Sequence, residues 1–189
     1  MQSKPRATIK DMDFNFENSL VRITANRSCP ETKLAGLSIG PFEEGNDYEV
    51  YYWVASELEK SGIARFREEE IIDAAKLHKI QWTERVQTAG QIPSLPDNFY
   101  PKYRRYFAEL KKEAARNPEK LRDCDKSKQL IQDIVNSRLK KLIAIASASS
   151  RTEQIIRNLT SEERFLFEHL YRLVNEWRTQ ILEYERVEE

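Results

Sequence analysis

The side chains able to do chemistry are few and scattered. His78, His169, Cys29 and Cys124 are the soft metal ligands on offer, and no two lie closer than Cys124 and His169. Compact zinc sites place paired ligands a few residues apart, so no metal site is read here. No serine or cysteine sits in a nucleophile-elbow pattern, and neither cysteine has a histidine near it in sequence. Gly36 to Gly40 has the glycines of a phosphate loop but lacks the Gly-Lys-Ser/Thr ending, and Pro41 removes a backbone donor where donors are needed. It reads as a turn. Glu68-Glu69-Glu70 could attract a cation, yet consecutive carboxylates on a helix diverge, so they read as solvated charge. No catalytic residue, metal or cofactor is expected, and the chain is not expected to be an enzyme.

Two charged constellations remain. Between Phe99 and Arg116, aromatic residues alternate with Lys102, Arg104, Arg105, Lys111, Lys112 and Arg116. Single-stranded nucleic acids are bound by rings that stack on bases beside cations. On a helix the two sets separate: the rings share one side, while Arg104, Arg105, Lys111 and Lys112 point away from them, with Glu109 and Glu113 diluting the charge. The rings read as core. The basic face around 104–112 is the candidate contact for phosphates or an acidic partner. The second constellation is a single residue: Arg138 falls in the middle of the apolar face formed by Ile131, Ile134, Val135, Leu139, Leu142, Ile145 and Ala146. A guanidinium cannot shed its charge, so if buried it must be paired and hydrogen-bonded. It either snorkels to the edge or, as favoured here, meets a carboxylate or backbone carbonyls at a helix crossing or subunit contact.

The elements that position these residues change in texture near residue 67. All 5 glycines lie at or before Gly90, and beyond Pro101 the only proline is Pro118, so the front reads as short elements and the back as long helices. Leu20 to Ala25 alternates as a half-buried strand; Lys33 to Ile39 is a second strand closed by Gly40-Pro41-Phe42. Tyr51 to Ser61 is a short helix and Ile63 to Phe66 a further strand. A helix is expected from Glu68 to about Gln87, a loop from Gly90 to Pro101, and a helix over about 98–116 with Phe99, Tyr103, Tyr106, Phe107, Leu110 and Ala114 on one face. A third helix runs from about Ser127 to Ser149. The last begins at Thr160-Ser161-Glu162-Glu163, a capping box, and runs to about Glu185. Its Leu166, Phe167, Leu170, Tyr171, Leu173, Val174, Trp177, Ile181 and Tyr184 spread over nearly half the circumference, more than one small domain needs to cover. The excess predicts a shared surface. The fold class is mainly α, with a small α+β N-terminal domain at 1–67 and a helical, bundle-like C-terminal domain at 68–189.

The 189 residues include 40% hydrophobic and 33% charged residues, with Lys+Arg equal to Asp+Glu at 31 each, the composition of an ordered globular chain. Zero net charge argues against a protein devoted to neutralising phosphates. No signal peptide is evident at the N-terminus, two distant cysteines do not make a disulfide scaffold, and the most apolar run, Leu142 to Ala146, is far short of the ~20 residues that span a bilayer. A soluble, cytoplasmic protein is expected.

Several of these segments combine into a resemblance. Leu34-Ala35-Gly36-Leu37-Ser38-Ile39-Gly40-Pro41-Phe42, followed by Glu49-Val50-Tyr51-Tyr52-Trp53-Val54-Ala55, is similar to the Gly-Pro-Phe turn and Glu-Val-Pro-x-Trp-Leu-Ala segment of the GINS proteins of DNA replication, in the second-subunit type. Arg138-Leu139-Lys140-Lys141-Leu142 resembles the Arg-x-x-Lys-Leu of that family's helical domains. The likeness extends over about residues 18–185 and departs at Tyr51, where the family usually has proline. The compactness of the chain, and a likeness to both the second and third subunits, resemble the archaeal type.

The resemblance implies a β-rich (B-type) domain followed by a helical (A-type) domain. It implies a 2:2 tetramer with a second GINS subunit of reversed domain order, contacts with the MCM helicase and a RecJ-like protein and with primase or polymerase, DNA touched only weakly or indirectly, no membrane, and a place in the nucleoid at replication forks. On this reading Arg138, Lys141, Leu142, Phe167, Leu170, Tyr171, Val174, Trp177 and Ile181 serve the subunit interface, and Trp53 fixes the core of the small domain. The chain is then a non-catalytic scaffold of the helicase complex. The rival reading is a helical nucleic-acid-binding protein using the basic face.

Overall fold

The computed structural model describes residues 5–34, 36–86, 91–148 and 153–183. The chain forms two compact units, one ending at Ile72 and the other beginning at Asp73.

In the first unit an initial helix, α1 (Pro5–Glu17), leads into β1 (Leu20–Ala25). A hairpin of β2 (Thr32–Leu34) and β3 (Leu37–Ile39) follows, then β4 (Asp47–Tyr51), α2 (Tyr52–Lys60) and β5 (Ala64–Phe66). β1 lies at the centre of an antiparallel sheet of order β4-β1-β5, with Val21 opposite Val50 and Ile23 opposite both Tyr48 and Phe66. Alternation in β1 sends Val21, Ile23 and Ala25 to one face, where they meet Phe42, Ala55 and Ala64. Phe42 meets Tyr48 edge-on at 4.9 Å.

Two expectations need correcting here, and one element was not foreseen. The segment Lys33 to Ile39 is a hairpin, because Gly36 takes a positive φ of 82° that ends one strand and reverses the chain. α1, unforeseen, is held by a tertiary contact: Phe16 is buried, its ring 4.4 Å from that of Tyr52. Trp53 is only half-buried, and the core is built by the smaller residues just named.

The second unit holds α3 (Ala74–Val86), α4 (Phe99–Arg116), α5 (Leu121–Ala146), the short α6 (Glu153–Arg157) and α7 (Ser161–Glu183). The acidic triplet is not the first turn of α3 but a separate 3-10 turn, Glu68–Glu70. Asp73 sets the true start: its carboxylate accepts from the Lys76 backbone N–H at 2.7 Å, the geometry of an N-cap. The expected end at Gln87 lies outside the described residues, as do Gly90, Ser149 and Tyr184. α4 begins after Asn98, which has a left-handed φ of 54°, and accommodates Pro101 in its first turn, where a missing N–H is harmless. α5 begins at Leu121, well before Ser127, because a turn capped by Asn117 with Pro118 behind it delivers the chain into the helix. The capping box forms as read: Glu163 N–H donates to Thr160 Oγ1 at 3.3 Å, and Thr160 N–H donates to Glu163 Oε2 at 3.1 Å. α5 is the central helix, packed against α3, α4 and α7. The mainly α architecture with a small N-terminal sheet agrees with the expected fold class.

Candidate assembly surface

Where α3, α5 and the start of α7 meet, four charged side chains are buried together. Arg138 is 1% exposed, Glu84 2%, Glu163 4% and Lys141 7%. Arg138 donates through Nη1 to Glu84 Oε1 at 2.7 Å and to the Pro93 carbonyl at 2.8 Å. Through Nη2 it donates to Glu163 Oε2 at 2.7 Å and to the Asn158 carbonyl at 3.5 Å, and through Nε to Glu163 Oε1. A guanidinium has five N–H donors, and each has an acceptor. Lys141 Nζ donates to the other oxygen of Glu84 at 2.7 Å and to its backbone carbonyl at 3.1 Å. Tyr100 of α4 donates to Glu163 Oε1 at 2.8 Å, and Asn158 Nδ2 donates to the Ile92 carbonyl at 2.9 Å.

Two cations face two carboxylates, so the cluster is formally neutral, and among the described residues no buried side-chain N or O lacks a partner. Burial pulls the Arg138 pKa down, but Glu163 and then Glu84 more than offset it and raise it above the ordinary value. Burial, and after it the Glu163 carboxylate, pushes the Tyr100 phenol well above its ordinary value, so it stays a neutral donor.

The residues expected at a subunit interface divide into two groups. Arg138, Lys141, Leu142 and Phe167 are buried by this chain itself. Leu142 and Phe167 share a core with Ile92, Ile145, Ala146 and Leu159, so these four side chains present little surface to a neighbour. Leu170, Tyr171 and Val174 are half-buried, at the margin. Trp177 is 61% exposed and Ile181 57%. With them stand Leu173 and Leu182, more exposed still, and on α5 Val135, Leu139 and Ile143. On each helix three of these recur four residues apart, Val135, Leu139 and Ile143 on α5 and Leu173, Trp177 and Ile181 on α7, so each helix carries an apolar stripe that this chain leaves uncovered.

The basic face of α4 is largely engaged within the chain. Arg104 pairs with Glu162 at 3.4 Å, Lys112 with Glu109 at 2.7 Å, and Lys111 Nζ lies 4.6 Å from the centre of the Phe107 ring; Arg105 also has a partner. The opposite face is core as read: Phe99, Tyr103, Leu110 and Ala114 are buried, with Tyr106 and Phe107 half-buried. Among the described residues no group of three or more His, Cys, Asp or Glu side chains could hold a metal ion, and no helix is long and apolar enough to cross a membrane.

Glu84 and Tyr100 were missed from the sequence, and Glu163 was read only as a cap. A signal existed for Glu84, which lies seven residues after the buried Leu77 and so on the same side of α3. A carboxylate on an inward face is the partner a buried arginine requires.

Comparison with known proteins agrees with this architecture. A family model described as the GINS complex protein helical bundle domain matches residues 71–182, and one described as the PSF2 N-terminal domain matches residues 8–66. The human protein named DNA replication complex GINS protein PSF2 is 28% identical over 157 residues, covering 81% of this chain and 80% of that protein.

Proposed function

The chain belongs to the GINS family of DNA replication complex subunits, and from that premise we propose that it is a non-catalytic scaffold whose last helix docks against a partner subunit. The single observation that carries this reading is on α7, where Leu173, Trp177 and Ile181, spaced four residues apart and so along one side of the helix, stand exposed. Leaving such side chains in water forgoes about 1.5–3 kcal/mol for each large residue that a partner could bury.

In this proposal the helical domain, 68–189, forms the body of the complex, and the small domain, 1–67, sits at its edge and touches other replication proteins. The partner is a GINS subunit of reversed domain order, and the assembly is the 2:2 tetramer of the archaeal type. The complex joins and activates the MCM helicase at the fork, in company with a RecJ-like protein and primase or polymerase. The protein works in the cytoplasm at the nucleoid. The engagement of Arg104, Lys111 and Lys112 within the chain favours this reading over direct nucleic-acid binding by α4.

Co-expression with the partner subunit followed by light scattering tests the proposal. The native chain is expected to elute at the mass of a tetramer, while Trp177→Ala with Val174→Ala elutes as a folded, smaller species. An unchanged assembly mass in that variant would remove the interface from α7.

A further inference from the structure

We propose that Arg138 and Glu163 are positioning residues for assembly: they touch no partner, and they fix the direction in which α7 presents its apolar face. The inference rests on the reading of α7 as the docking helix.

Three observations lead there. First, Glu163 lies in the first turn of α7 and accepts from Arg138 of α5, Tyr100 of α4 and the Thr160 backbone. The start of α7 is therefore fixed to two other helices at one buried point. Second, the same arginine and Asn158 hold the carbonyls of Pro93 and Ile92, so the segment entering α4 is tied to that point as well. Third, the other attachments of α7 are apolar packing or single polar contacts: Arg104 pairs with Glu162 beside that point, and Leu170 and Tyr171 pack against the core that holds Phe167. Phe167 is buried one turn further on, and Arg178 donates to the Ser147 carbonyl just past the end of α5. Beyond Phe167 no α7 side chain is fully buried among the described residues.

The geometry is that of a lever. Trp177 lies 14 residues after Glu163, about 21 Å along the helix, so a tilt of about 10° at the hub moves the indole by about 4 Å. Binding constellations tolerate errors nearer to about 0.5 Å. Burying four charges is a poor way to gain stability, since apolar residues of the same volume do as well or better. What a hub of directed bonds adds over apolar packing is a single angle. The apolar packing of Phe167, Leu170 and Tyr171 against that core is non-directional and does not set an angle as a set of hydrogen bonds does.

The test compares the native chain with two variants and needs no partner, so its failure is separable from failure of the docking reading. In a full chain carrying Cys29→Ser and Cys124→Ser, spin labels are placed on the exposed Lys140→Cys of α5 and Gln180→Cys of α7. Electron–electron resonance then gives the distribution of distances between them. One variant is Glu163→Gln. The other, Glu84→Met with Arg138→Met, Lys141→Met and Glu163→Gln, replaces the hub by apolar side chains and retains a capping acceptor. We expect the compensated variant to keep its urea midpoint while the distribution at least doubles in width, and Glu163→Gln to widen it likewise. Arg178→Ala, which removes the distal tie alone, is expected to widen it less. A narrow, native distribution in either folded variant would overturn the proposal. So would unfolding of the compensated variant, which would make the hub an ordinary stabilising element.

Discussion

Around Arg138 four charged side chains are enclosed and each finds its partners, whereas further along α7 a tryptophan, an isoleucine and two leucines face outward. The usual arrangement puts these classes the other way round. Each inversion has its own condition. A charge can be inside only where opposite charge and a full set of hydrogen bonds replace the lost water, and here five guanidinium donors meet five acceptors. An apolar side chain can be outside in numbers only where some other surface is to cover it. The interior of the helical unit is thus complete in itself, while its last helix leaves apolar side chains uncovered. Arg138, Lys141, Leu142 and Phe167 fall on the enclosed side of that division, and Leu173, Trp177 and Ile181 on the exposed side.

Mutations should separate the two regions by what they change. Arg138→Ala leaves Glu84 and Glu163 buried with only Lys141 to compensate them, and is expected to destabilise the isolated chain by about 3–5 kcal/mol in urea unfolding. Trp177→Ala with Ile181→Ala should do the reverse. Stability of the isolated chain stays within about 0.5 kcal/mol, while affinity for the partner subunit, measured by titration calorimetry, weakens by about 2 kcal/mol or more. If the two outcomes were exchanged, the division would be wrong. Arg104→Gln with Lys112→Gln opens two pairs near the surface and should change stability by no more than about 1 kcal/mol. An isolated chain that bound single-stranded DNA with a steep salt dependence lost in this variant would restore the basic face as a functional site.

The small unit offers the mildest test. The Thr24 hydroxyl donates to Asp47 at 2.6 Å and, with Arg67, holds that carboxyl below its ordinary 3.8 against a weaker opposing effect of burial. A carboxyl whose folded pKa is lowered contributes stability above its unfolded pKa and loses it as pH falls through the folded value. The small unit should therefore weaken slightly below about pH 4, and Asp47→Asn should flatten that part of the profile. The check is the urea midpoint of both chains at neutral and acid pH.

What the sequence made legible was local. The start of α7 could be read because Thr160 and Glu163 cap it through bonds spanning three residues, and the strand β1 because its alternation is complete within six. The burial of Arg138 could be argued from its place among isoleucines and leucines. Its pairing with Glu84 and Glu163 could not, because both approach from other helices, and the inward place of Glu84 on α3 marks a buried carboxylate without saying which cation it meets. The same distance hid α1, whose order depends on Phe16 meeting Tyr52. Local punctuation also misled where it was subtle: Asp73, not the acidic triplet, begins α3, and Gly36 divides what looked like one strand. For the candidate surface, amphipathic spacing identified the right helix but not which of its apolar residues turn inward. Only packing against α5 separates Phe167, enclosed, from Trp177, exposed.

Trp177 itself reports most directly on the central claim that the outer face of α7 is covered in the assembly. In a chain carrying Trp53→Phe and Trp82→Phe, Trp177 is the sole indole, and its fluorescence and quenching by acrylamide can be followed as partner subunits are added. The account predicts an emission maximum typical of water in the free chain, with a shift to the blue and protection from acrylamide on assembly. A stable complex in which Trp177 keeps its water-exposed emission and full quenching would contradict it.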